Sequence, residues 1–321
     1  MRRKVLVTGA TGFIGTAFCL RARREGWQVR GAVRSVSDHN NLPPRVEAVP
    51  VGMIGPVTEW VSSMEGVEIL VHLASRTHVM RETASNPLAE YRKVNVVGTE
   101  HLARQAAAAG IKRLVFLSSV KVNGEGRLDP YTEDDLPAPE DHYGVSKLEA
   151  EEVLWKVSAE TGMEVVILRS PLVYGPGVKA NFLSLLKAVH GGIPLPFGSI
   201  RNKRSFIYLD NLVDAIAVCL THLAAVGSIY LVSDGDDIST PELIRKVAFA
   251  FERPVRLFAF PPRLIRFIGS MVGKGDTVNR LVGALTVDTR KIRQELDWHP
   301  PYNMEQGLRE TADWFYRDYL G

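Results

Sequence analysis

The residues of this chain that best suit a chemical reaction are a tyrosine and a lysine four positions apart, in Tyr143-Gly-Val-Ser-Lys147. Residues at this spacing share one face of a helix, about one turn from each other. An ammonium near a phenol favours the phenolate, so we expect Lys147 to lower the pKa of Tyr143. Such a tyrosine can exchange a proton with a carbinol oxygen while a nicotinamide carries the hydride. The pair indicates carbonyl and alcohol redox chemistry, although Tyr-x-x-x-Lys also occurs by chance where surface helices begin.

A glycine-rich loop near the N-terminus predicts a dinucleotide site. The apolar run Lys4-Val-Leu-Val-Thr8 is typical of a buried parallel strand, and Gly9-Ala-Thr-Gly12-Phe-Ile-Gly15 follows at once. The glycines permit a tight turn and a close approach to a pyrophosphate, which the first amides of a helix over residues 13–25 would bind. The spacing is Gly-x-x-Gly-x-x-Gly rather than the commoner Gly-x-Gly-x-x-Gly. Taken alone, the loop could also be an ordinary turn.

Strands and helices alternate over the first half of the chain. The clearest helices cover residues 87–109 and 143–161 and end at Gly110 and Gly162. The alternation predicts an α/β fold with a doubly wound parallel sheet and ligands at the carboxyl ends of its strands. Beyond the first, strands are predicted at residues 28–33, 46–51, 67–73, 113–118 and 163–169.

The second half of the chain has a different character. From Pro171 onward the alternation weakens and prolines and glycines cluster. We therefore predict a Rossmann dinucleotide-binding domain over residues 1–170 and a smaller C-terminal α+β substrate lobe over residues 171–321. A helix at 209–223 and a strand at 228–232 return to the first domain. The return covers about residues 205–235, which leaves the lobe mainly residues 171–204 and 236–321.

Composition and charge exclude several classes of protein. The 321 residues hold 39 basic and 36 acidic side chains, a net charge of +3 with no dense basic stripe, so no nucleic-acid partner is indicated. Cys19 and Cys219 lie among apolar neighbours in predicted helices, which suggests buried free thiols in a reducing compartment and no metal site. Prolines and arginines break the apolar stretch at 257–272, so no integral membrane segment is expected. A cytoplasmic enzyme is predicted, with peripheral membrane contact of an amphipathic helix as a weaker alternative.

A series of short motifs runs along nearly the whole chain. They are Thr8-Gly-Ala-Thr-Gly-Phe-Ile-Gly15, His72-Leu-Ala-Ser75, Asn95-Val-Val-Gly-Thr99, Leu117-Ser-Ser119, Tyr143-x-x-x-Lys147, Arg169-Ser-Pro171, Val173-Tyr-Gly-Pro-Gly177 and Arg204-Ser-Phe-Ile-Tyr-Leu-Asp210. With them the chain resembles the extended short-chain dehydrogenase/reductases of the nucleotide-sugar epimerase and dehydratase family. Residues 117–124 and 78–82 look closest to the branch of UDP-glucose 4-epimerase-like proteins and UDP-N-acetylquinovosamine 4-ketoreductases.

The resemblance implies roles for particular residues. Ser119 would hydrogen-bond the reacting oxygen, Tyr143 would act as acid or base, and Lys147 would also hold the nicotinamide ribose. Ser119, Asn181 and Arg204 would bind the substrate, since a guanidinium suits a diphosphate. The predicted helices at 87–109 and 143–161 would pair across a homodimer. The cofactor would contact Gly9, Thr11, Gly12, Phe13, Ile14, Gly15, Arg34, Leu73, Ala74, Ser75, Asn95, Ser118, Tyr143, Lys147 and Pro171.

One other position is interpreted as structural, and three others differ from the family pattern. His72 is interpreted as a core histidine with satisfied hydrogen bonds. Asn123 replaces a tyrosine of the family, which leaves the role of that side chain in doubt. Val120-Lys121 stands where the family's 4,6-dehydratases carry Asp-Glu. The resemblance therefore argues against dehydration and for redox chemistry at C4 of a sugar.

The cofactor preference is drawn from the end of the second strand. The family's NAD sites usually offer an acidic residue there, but none occurs between Glu25 and Asp38, whereas Arg34 would suit a 2'-phosphate. Met53 also stands near where the family often places an aspartate against adenine. Arg34 could equally be a solvent-facing residue, so NADP is only slightly favoured over NAD.

The predicted function is the NAD(P)-dependent reduction of a 4-keto UDP-sugar, of the UDP-N-acetylquinovosamine type, in surface-polysaccharide precursor synthesis. An exchangeable reductant such as NADPH favours it slightly. The alternative is a UDP-glucose or UDP-GlcNAc 4-epimerase with retained NAD. Further alternatives are a reductase of small hydrophobic carbonyls and a non-catalytic, dinucleotide-sensing regulator.

Overall fold

The computed structural model describes residues 3–77, 84–127, 129–271 and 275–320, so the 78–82 segment of the resemblance lies outside it. Its strands are β1 (Lys4–Thr8), β2 (Gln28–Val33), β3 (Glu47–Pro50), β4 (Ile69–His72), β5 (Arg113–Ser119), β6 (Glu164–Ser170), β7 (Leu172–Tyr174), β8 (Phe206–Tyr208) and β9 (Ser228–Leu231). Its helices are α1 (Phe13–Arg24), α2 (Pro87–Arg92), α3 (Gly98–Ala108), α4 (His142–Thr161), α5 (Ala180–His190), α6 (Leu209–Thr221), α7 (Thr240–Ala250), α8 (Pro262–Met271), α9 (Gly275–Val282), α10 (Arg290–Leu296) and α11 (Met304–Trp314).

A parallel seven-stranded sheet organises the fold, in the order β3-β2-β1-β4-β5-β6-β9. The strand order reverses between β1 and β4, and doubly wound sheets bind their ligands in the crevice at such a reversal. The strand predicted at residues 228–232 is β9, and it pairs with β6. A separate parallel pair joins β7 and β8. The predicted fold class is confirmed.

Alternate residues of the central strands pack into two hydrophobic cores, one on each face of the sheet. In β1, Val5 and Val7 pack into the core that contains Phe18 of α1. Leu6 points to the other face and packs with Leu102 of α3. Each of these three strand residues is fully buried. The period of two places helices against both faces, because neither face can be left in water.

The helix that carries the candidate tyrosine and lysine has defined ends. The Asp141 carboxylate accepts a hydrogen bond from the Gly144 amide at 2.7 Å and caps the start of α4. Gly162 ends the helix in a left-handed conformation, with φ of 74°. The other predicted helix, 87–109, is not uniform, because a π-helical segment, Lys93–Val97, separates α2 from α3.

The two cysteines and the amphipathic helix that the sequence analysis singles out lie in helices that the structure describes. Cys19 of α1 and Cys219 of α6 are buried free thiols, and burial raises the pKa of each to about 12. The amphipathic helix expected within 257–272 is α8. Among the residues that the structure describes, no helix has the length and apolar character needed to cross a bilayer.

Candidate active site

The candidate residues meet along one edge of the main sheet, where its parallel strands end. Gly9 follows β1, Leu73 follows β4, Ser119 ends β5 and Pro171 follows β6. The register aligns Thr8 with His72 and Ser119 with Ser170. Because the strands are parallel, residues far apart in sequence lie side by side at this edge.

The glycine loop leaves no room for a side chain at two positions, Gly9 and Gly15. Gly9 has a φ of 69°, and a Cβ at this position would lie 2.9 Å from the Ala74 amide nitrogen. A Cβ on Gly15 would overlap the Gly9 carbonyl. The amide of Gly12 donates to the Gly9 carbonyl at 2.9 Å, and no side chain caps α1 at Gly12. The loop therefore holds the start of α1, with its partial positive charge, next to the strand reversal.

His72 belongs to the framework beneath this loop. Its Nδ1 lies 2.6 Å from the Thr8 hydroxyl and its Nε2 lies 2.9 Å from the Thr99 hydroxyl. The Thr8 hydroxyl also accepts from the Ala74 amide at 3.2 Å. Burial, assisted by the charge of Lys147, lowers the pKa of His72 to about 3. The interpretation of His72 as a satisfied core histidine is confirmed.

Asn95 lies in the π-helical segment and organises the loop after β4. Its side-chain oxygen accepts from the Arg76 amide at 2.7 Å and from the Ser75 hydroxyl at 3.1 Å. Its side-chain nitrogen donates to Ser146 Oγ at 2.9 Å, and Ser146 Oγ donates to the Tyr143 carbonyl at 2.8 Å. The extra residue of a π turn aims this amide between two elements. Asn95 thereby fixes Ser75 against the turn that carries Tyr143.

The two serines at the end of β5 have different environments. Ser118 points inward and donates to the Glu151 carboxylate. Ser119 is 9% exposed and begins a short 3₁₀ turn, and its hydroxyl oxygen accepts from the Lys121 amide at 3.3 Å. A hydroxyl that accepts one weak bond keeps its own proton to donate. Ser119 can therefore donate to an oxygen at this edge.

Lys147 is buried and bonded within the site. Its Nζ donates to the Leu117 carbonyl at 2.6 Å and lies 3.7 Å from the centroid of the Phe116 ring. Burial lowers its pKa to about 7, and the charge of Glu151, one turn further along α4, partly opposes that fall. Glu151 is itself paired with Arg169 at 2.6 Å, with both side chains at least 97% buried.

The expected lowering of the Tyr143 pKa is wrong. Its pKa is raised, first by burial and then by the charge of Asp141, while a hydrogen bond with Ser75 acts in the opposite direction. The ring also packs edge-on against Tyr91, with centroids 6.4 Å apart. Helical spacing alone did not show that the ammonium would bind the Leu117 carbonyl. The phenol is therefore neutral and can donate its proton. It can act as a base only after it has lost that proton.

The remaining candidates are exposed or half-buried. Arg34 is exposed just beyond β2, and Asn181 is exposed in the first turn of α5. Arg204 is half-buried and donates from Nη1 to the Gly283 carbonyl at 3.0 Å. In the glycine loop, Thr11 and Gly12 are exposed, whereas Phe13 and Ile14 are half-buried.

The sequence reasoning missed the structural contacts of two residues, Lys121 and Asn123. Lys121 forms ion pairs with Asp141 and, at 3.0 Å, with Glu125, so it joins the turn after Ser119 to the cap of α4. Asn123 accepts from Arg169 Nη1 at 3.1 Å and donates to the Thr132 carbonyl at 2.9 Å, so it is a structural residue. The spacing of Glu151 four residues after Lys147 was the only sequence signal for the network that includes Arg169.

Comparison with known proteins identifies the family. The model of the NAD dependent epimerase/dehydratase family matches residues 5–233. This chain belongs to that family. It is 43% identical over 320 residues to a UDP-glucose 4-epimerase of Vibrio cholerae, covering 98% of this chain and 96% of the relative. It is 27% identical over 328 residues to the N-acetyl-alpha-D-glucosaminyl-diphospho-ditrans,octacis-undecaprenol 4-epimerase of Escherichia coli O157:H7, covering 98% and 96% of the two chains.

The same fold occurs in solved structures. MoeE5 in complex with UDP-glucose and NAD superposes with a TM-score of 0.79 and 26% identity, over 99% of this chain and 100% of MoeE5. The prediction of an NAD(P)-dependent enzyme of the extended short-chain dehydrogenase/reductase type is confirmed. The glycine loop fits the family's dinucleotide, because Gly9 and Gly15 permit a tight backbone turn that side chains would disrupt, and this turn leads directly into the start of α1.

Proposed function

We propose that this protein is an NAD-dependent 4-epimerase of a UDP-hexose. The observation that carries the proposal is the 43% identity, over nearly the full length of both chains, to a relative named UDP-glucose 4-epimerase. The edge of the sheet supports it with Ser119, Tyr143 and Lys147, the groups that reversible oxidation of an alcohol requires. The comparisons favour this function over the 4-keto-sugar reductase that the sequence places first.

The proposed chemistry removes a proton from the C4 hydroxyl and a hydride from C4 of the sugar, and then returns the hydride to the opposite face of C4 and the proton to the oxygen. Bound NAD supplies the acceptor and donor of the hydride. Tyr143 takes the proton of the C4 hydroxyl and later returns it, while Ser119 donates a hydrogen bond to the ketone oxygen. Oxidation requires the phenolate, so positive charge beside Tyr143 must offset the burial that raises its pKa here. Lys147 would hold the nicotinamide ribose, and its ammonium would supply such a charge one turn along α4 from Tyr143.

The substrate is held by its diphosphate in this proposal. Arg204 and Asn181 bind the diphosphate, which leaves the hexose ring free to present either face of C4 to the cofactor. Inversion requires this freedom, because hydride must leave one face and return to the other. Val120 and Lys121 follow Ser119 where the family's 4,6-dehydratases carry Asp-Glu, and this replacement argues against dehydration of the sugar.

We propose NAD as the retained cofactor, with NADP as the alternative. The family is NAD-dependent, and MoeE5, a relative at 26% identity, was solved with NAD. The exposed position of Arg34 beyond β2 supports NADP, since a guanidinium there suits a 2'-phosphate. Mass spectrometry of the nucleotide released from denatured protein distinguishes the two.

The wider organisation of the enzyme is also proposed. Residues 1–170, with the return at about 205–235, bind the dinucleotide, and the remaining C-terminal residues bind the UDP-sugar. The π-interrupted helix at 87–109 and α4 pair with their counterparts in a homodimer. Sedimentation of the protein as a monomer at assay concentration would rule out the dimer.

Incubation with candidate substrates tests the reaction. Purified protein is mixed with UDP-glucose, UDP-GlcNAc or a UDP-4-keto-6-deoxy sugar, with and without added NADH or NADPH. Formation of the C4 isomer without added reductant supports the epimerase. Turnover of the keto sugar only with added reductant would replace it with the 4-keto-sugar reductase, which the Arg34 position favours.

A further inference from the structure

Helix α8 carries an apolar face that is open to solvent. Leu264, Phe267, Ile268 and Met271 are 48%, 62%, 48% and 73% exposed. Their spacing places them on one side of the helix, within an arc of roughly 100°. We call these four residues the α8 stripe. Single exposed apolar side chains are ordinary, whereas several on one face of one helix mark an interaction surface.

The other side of α8 is packed into the protein. Ile265 is 7% exposed and belongs to a small core with Ile200 and Val282. The packing fixes the rotation of the helix about its axis. The α8 stripe is therefore held outward by a buried contact.

The charges near the α8 stripe are all of one sign. Residues 253–275 contain five Lys and Arg and no Asp or Glu, although the whole chain is nearly balanced at +3. Arg263 and Arg266 of α8 are both exposed. A helix with aromatic and aliphatic residues on one face and arginines on the rest of its surface is suited to the headgroup region of a bilayer. Anionic lipids attract such a surface electrostatically.

We propose that the α8 stripe docks this protein on the surface of a bilayer that contains anionic lipids. The apolar side chains enter the headgroup region, and Arg263 and Arg266 contact the phosphates of the lipid headgroups. The helix lies along the surface and does not cross it. This proposal stands independently of the reaction proposed above.

The docking surface is connected to a candidate substrate residue. Helix α9 follows α8 and ends at Val282, and the next carbonyl, that of Gly283, accepts from Arg204 at 3.0 Å and from Asn202 at 2.8 Å. The helix that follows and contacts α8 thus ends next to a carbonyl that binds the arginine proposed to bind the diphosphate. Docking would hold that part of the chain near the lipid surface.

A second copy of the chain fits the α8 stripe less well. A stable dimer buries about 800 Å² on each partner, more than four half-exposed side chains supply. Pairing two stripes would also bring Arg263, at the edge of the stripe, close to a copy of the same basic segment, and like charges across an interface oppose association. The surface of an anionic bilayer has the opposite charge.

Vesicle flotation of the full chain tests the proposal. One set of vesicles contains phosphatidylcholine alone, and the other contains phosphatidylcholine with phosphatidylglycerol. We expect flotation with the anionic vesicles, little with the neutral ones, and weaker binding at high salt. The double variant Leu264→Gln/Phe267→Gln should bind at least about tenfold more weakly. Phe249→Gln is the matched control, because Phe249 is 70% exposed on α7 and should not contribute.

A second pair of substitutions isolates the charge. Arg263→Gln/Arg266→Gln should reduce the preference for anionic vesicles while the melting temperature stays that of the wild type, because both side chains are exposed. Equal flotation with neutral and anionic vesicles, no flotation at all, or unchanged flotation of the double apolar variant would overturn the proposal. A dimer that Phe267→Gln dissociates, with no vesicle binding, would show instead that a second copy covers the stripe.

Discussion

At the scale of single residues, the phenol of Tyr143 should control the rate of the reaction. Tyr143→Phe removes the transferable proton but keeps the ring that packs against Tyr91. We expect the rate of C4 inversion of UDP-glucose to fall about 10²- to 10⁴-fold, the usual value of a positioned acid or base. Thermal stabilisation by UDP should persist, which controls for folding. A rate near that of the wild type would reject the role assigned to Tyr143.

His72 should make the folded state sensitive to acid. Its pKa is about 3 in the folded protein and 6.5 ordinarily, so between these values the unfolded chain binds a proton that the folded chain does not. Stability is therefore lost as the pH falls through this window, by up to about 1.4 kcal/mol per pH unit from this group. Urea unfolding at several pH values should show that the free energy of unfolding of His72→Asn falls less steeply with decreasing pH than that of the wild type.

Thr99→Val is the matched control for that experiment. It removes one hydrogen bond to His72 but keeps the imidazole. The variant should therefore lose stability overall while it retains the acid dependence of the wild type. An unchanged slope in His72→Asn would show that other groups cause the acid loss.

The residues of the candidate site could be found from the sequence, but their electrostatics could not. Tyr143 and Lys147 stand at a recognisable spacing, and the structure places them on one helix. The pKa of Tyr143 depends instead on burial and on Asp141, and the amine of Lys147 binds a carbonyl thirty residues earlier in the chain. Spacing along one helix carries no information about such partners.

At the scale of elements, the turn between β1 and α1 should tolerate no side chain at Gly15. A methyl group there would overlap the Gly9 carbonyl and push the loop away from the start of α1. Gly15→Ala should weaken binding of NAD by at least about tenfold, because the loop and the helix amides bind the pyrophosphate together. Fluorescence titration with NADH measures the loss.

Gly55→Ala supplies the control for the glycine loop. A Cβ on Gly55 would meet no atom within 4 Å, and its φ is not in the left-handed region. We expect dinucleotide affinity close to that of the wild type. Equal weakening in both variants would mean that the loss at Gly15 reflects general destabilisation.

Helix boundaries were predictable where local signals set them. Gly162 and Gly110, which end the predicted helices, adopt φ values of 74° and 79°. The π-helical segment Lys93–Val97 was not predictable, because it depends on contacts of Asn95 with residues about 20 positions before it and 51 after it. Local sequence determines where a helix stops more readily than where it bulges.

At the scale of the whole molecule, the main sheet follows from the apolar strands, whereas the C-terminal part depends on distant contacts. The central strands of the sheet are recognisable as short apolar runs, and their alternate residues are buried on the two faces. By contrast, Asn202 reaches the carbonyls of Leu281 and Gly283, about 80 residues away. No period in the sequence indicates such a bond.

Asp234 joins several elements of the whole fold, and its loss should destabilise all of them together. Its carboxylate accepts from the Tyr208 amide at 2.8 Å, from Asn211 at 2.7 Å and from the Tyr174 hydroxyl at 2.8 Å. Asp234→Ala leaves these buried donors without a partner, so the free energy of unfolding should fall by about 3 kcal/mol or more. Asp236→Ala, at an exposed carboxylate two residues later, should change it little. Urea unfolding measures both variants, and equal losses would contradict the role of Asp234 as a shared acceptor.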